Sequence, residues 1–243
     1  MEFPACALAH TLFKFVCIRA AIKKAEVVES TEILEKLLHV EAELTKWIEN
    51  LPSSWAFTTK DALECPGNVF GSQLHSYHDI WISRYWSHYR WMRIVVHETI
   101  IQHLAKLPLS HALNLTGQQL QSVAIITEMV MDICVSVPFH LCNHNTQADK
   151  TLPRPEIIGA FDLLWPLTVV VNSEYVSEDR CIWAVNLLES IGYTMGIKQA
   201  LVLASTVKSR RRCGHGPQGT YTLPDHASLV TSYTKYPNEW TAF

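Results

Sequence analysis

The sequence predicts an all-α fold, and three observations carry that prediction. In the stretch Leu74 to Leu107, the residues Leu74, Tyr77, Trp81, Tyr85, His88, Met92, Val96, Thr99 and His103 recur at helical spacing. Series of the same period stand before and after it, Leu34, Leu37, Leu44, Ile48 and Leu51 on one side and Leu120, Val123, Val130 and Cys134 on the other. No segment alternates apolar and polar residues as a half-buried strand would. With 243 residues, 48% hydrophobic and 18% charged, the chain has the composition of one globular domain with a sizeable core.

The elements follow in order. A first helix is expected over Ala5 to Val28. Its apolar run from Phe3 to Ala21 is interrupted by His10, Lys14 and Arg19, and Glu2 stands where a signal peptide would carry positive charge, so it reads as a bundle helix rather than a targeting or membrane segment. A second helix starts near Ser30 or Thr31, either of which can cap it, and Pro52 stops it. Glu41 breaks its apolar stripe, which asks for a partner charge such as Arg90. Pro52 to Val69 reads as a loop with short pieces of structure. The long central helix follows, over Leu74 to Leu107, and then a turn from Pro108 to Thr116. A helix over Gly117 to Val137 is ended by Pro138. The polar stretch Phe139 to Pro155 is a loop that could serve as a lid. A helix over Glu156 to Val171 contains Pro166, which should kink it. Ser177 caps a helix reaching Ile191, and a last helix runs from Met195 to Val207. The helical domain is thus expected over residues 1–207. From Lys208 to Phe243 the period dissolves and a mobile tail is expected.

The central helix has a second series, on the side opposite its apolar face at about 100° per residue: Asp79, Trp86, Arg90, Arg93 and His97. A surface helix would carry Lys and Glu there, so this helix is expected to be enclosed on both sides. A guanidinium inside a helical bundle needs a carboxylate or a bound anion. Asp79, Glu41 and Asp162 are the candidate carboxylates. The functional alternative is an anchor for a polar-headed ligand among the rings Trp81, Trp86 and Trp165, with Arg90, Arg93 and His97 as its polar contacts.

Four stretches, in order from Val40 to Ser205, carry a resemblance. They are Glu41-Ala42-Glu43-Leu44-Thr45-Lys46-Trp47 with Leu51-Pro52-Ser53-Ser54-Trp55; the run from Leu74 to Ile100; Asp132-Ile133-Cys134 with Ser136 to Leu141; and Leu163-Leu164-Trp165-Pro166-Leu167 followed by Trp183-Ala184 and Ile191 to Ala200. Together they resemble the fungal-specific transcription factor domain, the helical regulatory region that follows the zinc binuclear cluster in fungal regulators. The resemblance implies an all-α regulatory domain. The family's DNA-binding module uses six closely spaced cysteines that include two Cys-x-x-Cys pairs. The seven cysteines here, Cys6, Cys17, Cys65, Cys134, Cys142, Cys181 and Cys213, include no two separated by two residues.

Other patterns weigh less. His75 and Asp79, with His78 beside them, have a one-turn metal spacing but no third and fourth ligand, so no metal site and no cofactor is expected. His140, Cys142 and His144 read as loop residues before a metal or nucleophile–base set. Lys208, Arg210, Arg211 and Arg212 are either an import signal or a basic helix end. A net charge of −3 argues against direct nucleic-acid binding, and the scattered cysteines suggest a reducing compartment, nucleus or cytoplasm. The leading expectation is a transcription-factor-like regulatory domain without a DNA-binding module, taking an apolar or polar-headed small molecule or a protein partner. No membrane partner is expected, and a homodimer is compatible with the sequence. The rival is a cofactor-independent cyclase or isomerase of fungal natural-product biosynthesis on the same scaffold. Its catalytic candidates would be His78, Asp79, Arg90 and His97.

Overall fold

The computed structural model describes residues 3–25, 29–61, 70–107, 112–141 and 155–212. Seven α-helices lie among them: α1 (Pro4–Lys23), α2 (Ser30–Glu49), α3 (Ile80–Leu104), α4 (Ala112–Leu141), α5 (Pro155–Asn172), α6 (Glu178–Met195) and α7 (Lys198–Arg212). A 3-10 turn at Ser53–Trp55 and an antiparallel pair of short strands, β1 (Thr58–Asp61) and β2 (Gln73–Ser76), lie between α2 and α3. The fold is all-α. Contacts divide the chain into a unit over Met1–Val207 and a second over Lys208–Phe243. The basic cluster closes α7, and the tail expected to be mobile lies outside the described residues from 213 onward.

Helix α3 is the axis of the first unit. It packs against α1, α2, α4 and α5, while α4 also meets α5 and β2, and α5 meets α6. From Tyr89 to His97 every residue of α3 is buried except Arg93, which is partly so. Nine consecutive residues cover more than two turns at 3.6 residues each, so the helix is enclosed around its circumference. Aromatic rings fill the space towards α2. Trp47 stacks on Tyr89 with centroids 5.3 Å apart and meets Trp86 edge-on at 5.6 Å, and Trp55 lies 5.4 Å from Tyr85. The indole N–H groups are satisfied by backbone: Trp86 donates to the Trp55 carbonyl and Trp47 to the Pro4 carbonyl, both at 2.8 Å.

Several expected boundaries move. The central helix starts at Ile80, because Asp79 is its N-cap: extended at φ −152°, it accepts from the Ile82 N–H at 2.9 Å. Leu74 to Ser76 are therefore strand, in register with Lys60 to Thr58. Helix α2 starts at Ser30 but its N-cap is Glu29, without a side-chain cap bond; the Ser30 hydroxyl lies 3.4 Å from His103 Nδ1 instead. Pro138 does not end α4. The helix runs on to Leu141, where tertiary packing holds it: Phe139 meets the Tyr77 ring at 5.0 Å and His140 Nε2 lies 3.3 Å from the Ser87 hydroxyl. Helix α6 passes Ile191 and ends at Met195, stopped by Gly196 in the left-handed region at φ 74°. Ser177 holds the N-cap position of α6 without a side-chain bond. By length and composition, α1 and the Thr116–Leu141 part of α4 could cross a bilayer, although α1 was expected as a bundle helix; most of that part of α4 is covered inside the unit, as a core helix is.

Two glycines set helix separations. A Cβ on Gly159 of α5 would fall 2.0 Å from the His140 carbonyl oxygen, and one on Gly192 of α6 would fall 2.4 Å from Leu201 Cδ2 of α7. The first obstacle is backbone and cannot step aside. Gly159→Ala should therefore destabilise the fold by about 1–3 kcal/mol in chemical denaturation, the range for overpacking a tight contact. The control is Gly117→Ala, where a Cβ meets nothing within 4 Å. It should be neutral or stabilising by up to about 1 kcal/mol, since Gly is the poorer helix former. Equal melting of the two variants would contradict the close α4–α5 approach.

Candidate functional site

The polar residues of α3 fall into two centres. The first surrounds Arg90, whose exposure is 0%. Its Nε donates to Asp132 Oδ2 of α4 at 3.2 Å, Nη1 to the Tyr77 hydroxyl at 2.5 Å and Nη2 to His75 Nδ1 at 3.2 Å. Three rings surround the guanidinium carbon, Phe57 at 5.1 Å, Trp86 at 5.3 Å and Tyr77 at 5.7 Å from its position to their centroids. Arginine can only donate, so His75 must present a bare Nδ1 and carry its proton on Nε2. Burial, with the Arg90 charge beside it, pulls the His75 pKa down to about 3 and keeps the ring neutral. Burial pushes the Asp132 carboxyl above its ordinary value, and the Arg90 charge and hydrogen bond offset only part of that.

The second centre lies one turn further along α3. Arg93 donates from Nε to both Glu41 oxygens, at 3.0 and 3.2 Å, from Nη2 to Oε1 at 2.5 Å and from Nη1 to the Tyr89 hydroxyl at 2.7 Å. His97 Nε2 lies 3.2 Å from Glu41 Oε2, and its Nδ1 lies 3.0 Å from the Ser122 hydroxyl of α4. Burial alone would raise the Glu41 carboxyl. The hydrogen bonds and charges of His97 and Arg93 outweigh it and hold the carboxyl below its ordinary value. Burial and the neighbouring Glu41 raise the Tyr89 phenol well above its ordinary value, against the pull of Arg93.

The structure thus re-pairs the expected charges. Arg90 takes Asp132, and not Asp79, Glu41 or Asp162. Asp79 is spent on the helix cap, Glu41 binds Arg93, and Asp162 sits 3.4 Å from Arg84 Nε with its pKa raised by burial to about 6. His75 and Asp79 do not share a helix, and among the described residues no group of three or more His, Cys, Asp and Glu is placed to hold a metal. The catalytic candidate His78 is exposed, with its side chain at 75%, and among the described residues its ring lies 3.4 Å from Asp79. Of the ligand candidates, Trp86 belongs to the Arg90 cage. Trp81 faces outward at 55% exposure beneath Arg84, and Trp165 packs edge-on to Trp91 at 5.9 Å. His140 is buried against Ser87, while Cys142 and His144 lie outside the described residues.

Asp132 is the partner that the sequence reading missed. It is the lone charged residue in the apolar run from Met129 to Leu141, and that isolation was the available signal. Glu98 was missed too. Its carboxyl is buried beside Ser173, Glu174 and Arg19, and burial pushes its pKa up to about 7.

The chain matches no family model, no curated protein and no solved structure among those with which it was compared.

Two outcomes follow. Removing one partner of a buried charge pair costs about 3–5 kcal/mol. Arg90→Ala should lower the melting temperature by many degrees in circular dichroism, whereas Trp81→Ala should leave it almost unchanged. A stable Arg90→Ala would mean the guanidinium is not held as described. The second outcome concerns pH. A carboxyl whose folded pKa is raised contributes stability below its unfolded value and loses it as pH rises through the folded value, here about 7 for Glu98. Glu98→Gln should therefore raise the melting temperature at about pH 8 and change it little at about pH 4. An equal shift at both pH values would show that the Glu98 charge is not responsible.

Proposed function

We propose that this chain is a regulatory-type interaction domain, similar in build to the helical region of fungal zinc-cluster regulators, and that it acts by binding a partner rather than by catalysis. One observation supports this most. The polar side chains that a catalyst or ligand site would use are bonded to one another, with Arg90 sealed by Asp132, Tyr77 and His75 and with Arg93 and His97 gathered on Glu41. Groups held in this way lock helices together; they do not face a substrate. The tryptophans of the resemblance, Trp47 and Trp55, sit in the same aromatic cluster on α3, which supports reading those segments as scaffold.

In this reading the partner is a protein or a small metabolite, the site of action is the nucleus or cytoplasm, and the setting is secondary metabolism. The enzyme alternative would need His78, Asp79, Arg90 or His97 to be available for proton transfer. Asp79 caps a helix, Arg90 is sealed by three hydrogen bonds, and His97 is buried with its Nδ1 3.0 Å from the Ser122 hydroxyl. That weighs against the enzyme.

The experiment has two arms. The purified chain should give no sequence-dependent gel shift with duplex DNA at physiological salt, given its net charge of −3 and the absence of any Cys-x-x-Cys pair. Deleting the coding sequence should change the transcript levels of a defined gene set. Unchanged transcripts together with one accumulated, unrearranged intermediate would overturn the regulatory reading and select the enzyme.

A further inference from the structure

Among the described residues, two carboxylate oxygens are shut off from water without a hydrogen-bond partner, Asp162 Oδ2 and Glu98 Oε1. Both belong to one seam, where α5 packs against α3. Asp162 stands on α5 with its side chain 10% exposed, and its other oxygen lies 3.4 Å from Arg84 Nε of α3. Glu98 stands on α3 and meets Ser173, the residue that follows α5. Asp162 and Ser173 are separated by about 16 Å of chain at the helical rise. A carboxyl therefore joins α5 to α3 at two separate points, with Trp165 edge-on to Trp91 at 5.9 Å between them.

A carboxyl with an unbonded buried oxygen is far easier to bury neutral than ionised. Burial accordingly raises both groups, Asp162 to about 6 against the pull of Arg84, and Glu98 to about 7 against Ser173 and Arg19, with Glu174 adding to the rise. The charges that act on the pair come from α1, α3 and the segment after α5, and they compensate poorly. Arg84 keeps 42% of its side chain exposed and lies over the Trp81 ring at 5.8 Å. Arg19 of α1 is itself disfavoured as a cation by burial. Glu174 repels a second carboxylate, and burial keeps the Tyr175 phenol neutral. His88, one turn beyond Arg84, donates from Nδ1 to the Arg84 carbonyl at 2.7 Å, and burial lowers its pKa, so it brings no charge to the seam. We propose that Asp162 and Glu98 form a proton-operated clasp on the α3–α5 seam, closed while both carboxyls are neutral and opened locally when both are ionised. Each carboxyl loses its stabilising effect as pH rises through its folded value, so the clasp works between about pH 6 and about pH 7. Acidification closes the helix pair and alkalinisation loosens it. The device goes beyond the regulatory reading and holds for whichever partner the domain takes.

Hydrogen–deuterium exchange read by mass spectrometry tests it, with protection factors taken at about pH 5 and about pH 8. In the parent, protection of α5 should fall at least about tenfold more than that of α2, because one pKa unit is a tenfold change in the opening equilibrium. Asp162→Asn should remove the part of the loss centred near pH 6, and Glu98→Gln the part centred near pH 7. The double variant should protect α5 equally at both pH values. A parallel fall in α5 and α2 would overturn the proposal, and so would a pH-dependent loss that persists in the double variant. If the double variant fails to fold, the single variants decide: full parental pH dependence in both contradicts the clasp.

Discussion

A guanidinium with no access to water is the constraint on which the rest of this structure depends. Arg90 carries a charge that cannot be left unpaired inside a helical unit. Its donors recruit Asp132 from α4, Tyr77 from the link between β2 and α3, and His75 from β2 itself. The Phe57 ring, 5.1 Å from the guanidinium carbon, brings in the segment after the 3-10 turn. Three parts of the chain, at Phe57, at His75 with Tyr77 and at Asp132, are tied together by one side chain. The strand pairing of Thr59 with His75 has a reason in this: it sets the His75 ring where Nδ1 meets Arg90.

The two polar centres of α3 differ in how well they are made. Glu41 receives Arg93 through both carboxylate oxygens and has His97 at 3.2 Å, and its carboxyl stays below the ordinary value. Asp132 receives one contact at 3.2 Å, and burial wins. Buried ion pairs offset their desolvation only when geometry is good. The Arg93–Glu41 centre therefore adds to stability, whereas the Arg90 centre relies on its rings and neutral acceptors. What the Arg90 centre supplies is specificity. A register slip of β2 by one residue would turn His75 to the other face and leave the guanidinium short of an acceptor.

The helical fold was readable because it rests on period alone. The enclosure of α3 was readable from residue type, since guanidiniums and rings occupied the side where a surface helix carries Lys and Glu. Pairing was not readable, because it depends on which helix faces which. Glu41 binds Arg93, one turn of α3 from the Arg90 expected for it, and Asp132 was hidden by the apolar run around it. The start of α3 was misplaced because Leu74 and Tyr77 continue its apolar spacing, and period cannot separate a helix from a buried strand that leads into it. The capping geometry of Asp79 decides that boundary, and it is a local backbone property. The first catalytic suspects, His78 and Asp79, were drawn from that same misplaced turn.

A double-mutant cycle on Arg90 and Asp132 tests the central claim most directly. Arg90→Met, Asp132→Leu and the double variant would be compared with the parent by chemical denaturation. Residues joined in one buried network couple by about 0.5–3 kcal/mol, whereas independent sites add to within about 0.5 kcal/mol. The structure predicts strong coupling, with the double variant more stable than the sum of the single losses allows. Additive losses would mean that Asp132 does not hold Arg90 and that the guanidinium rests on Tyr77 and His75 alone.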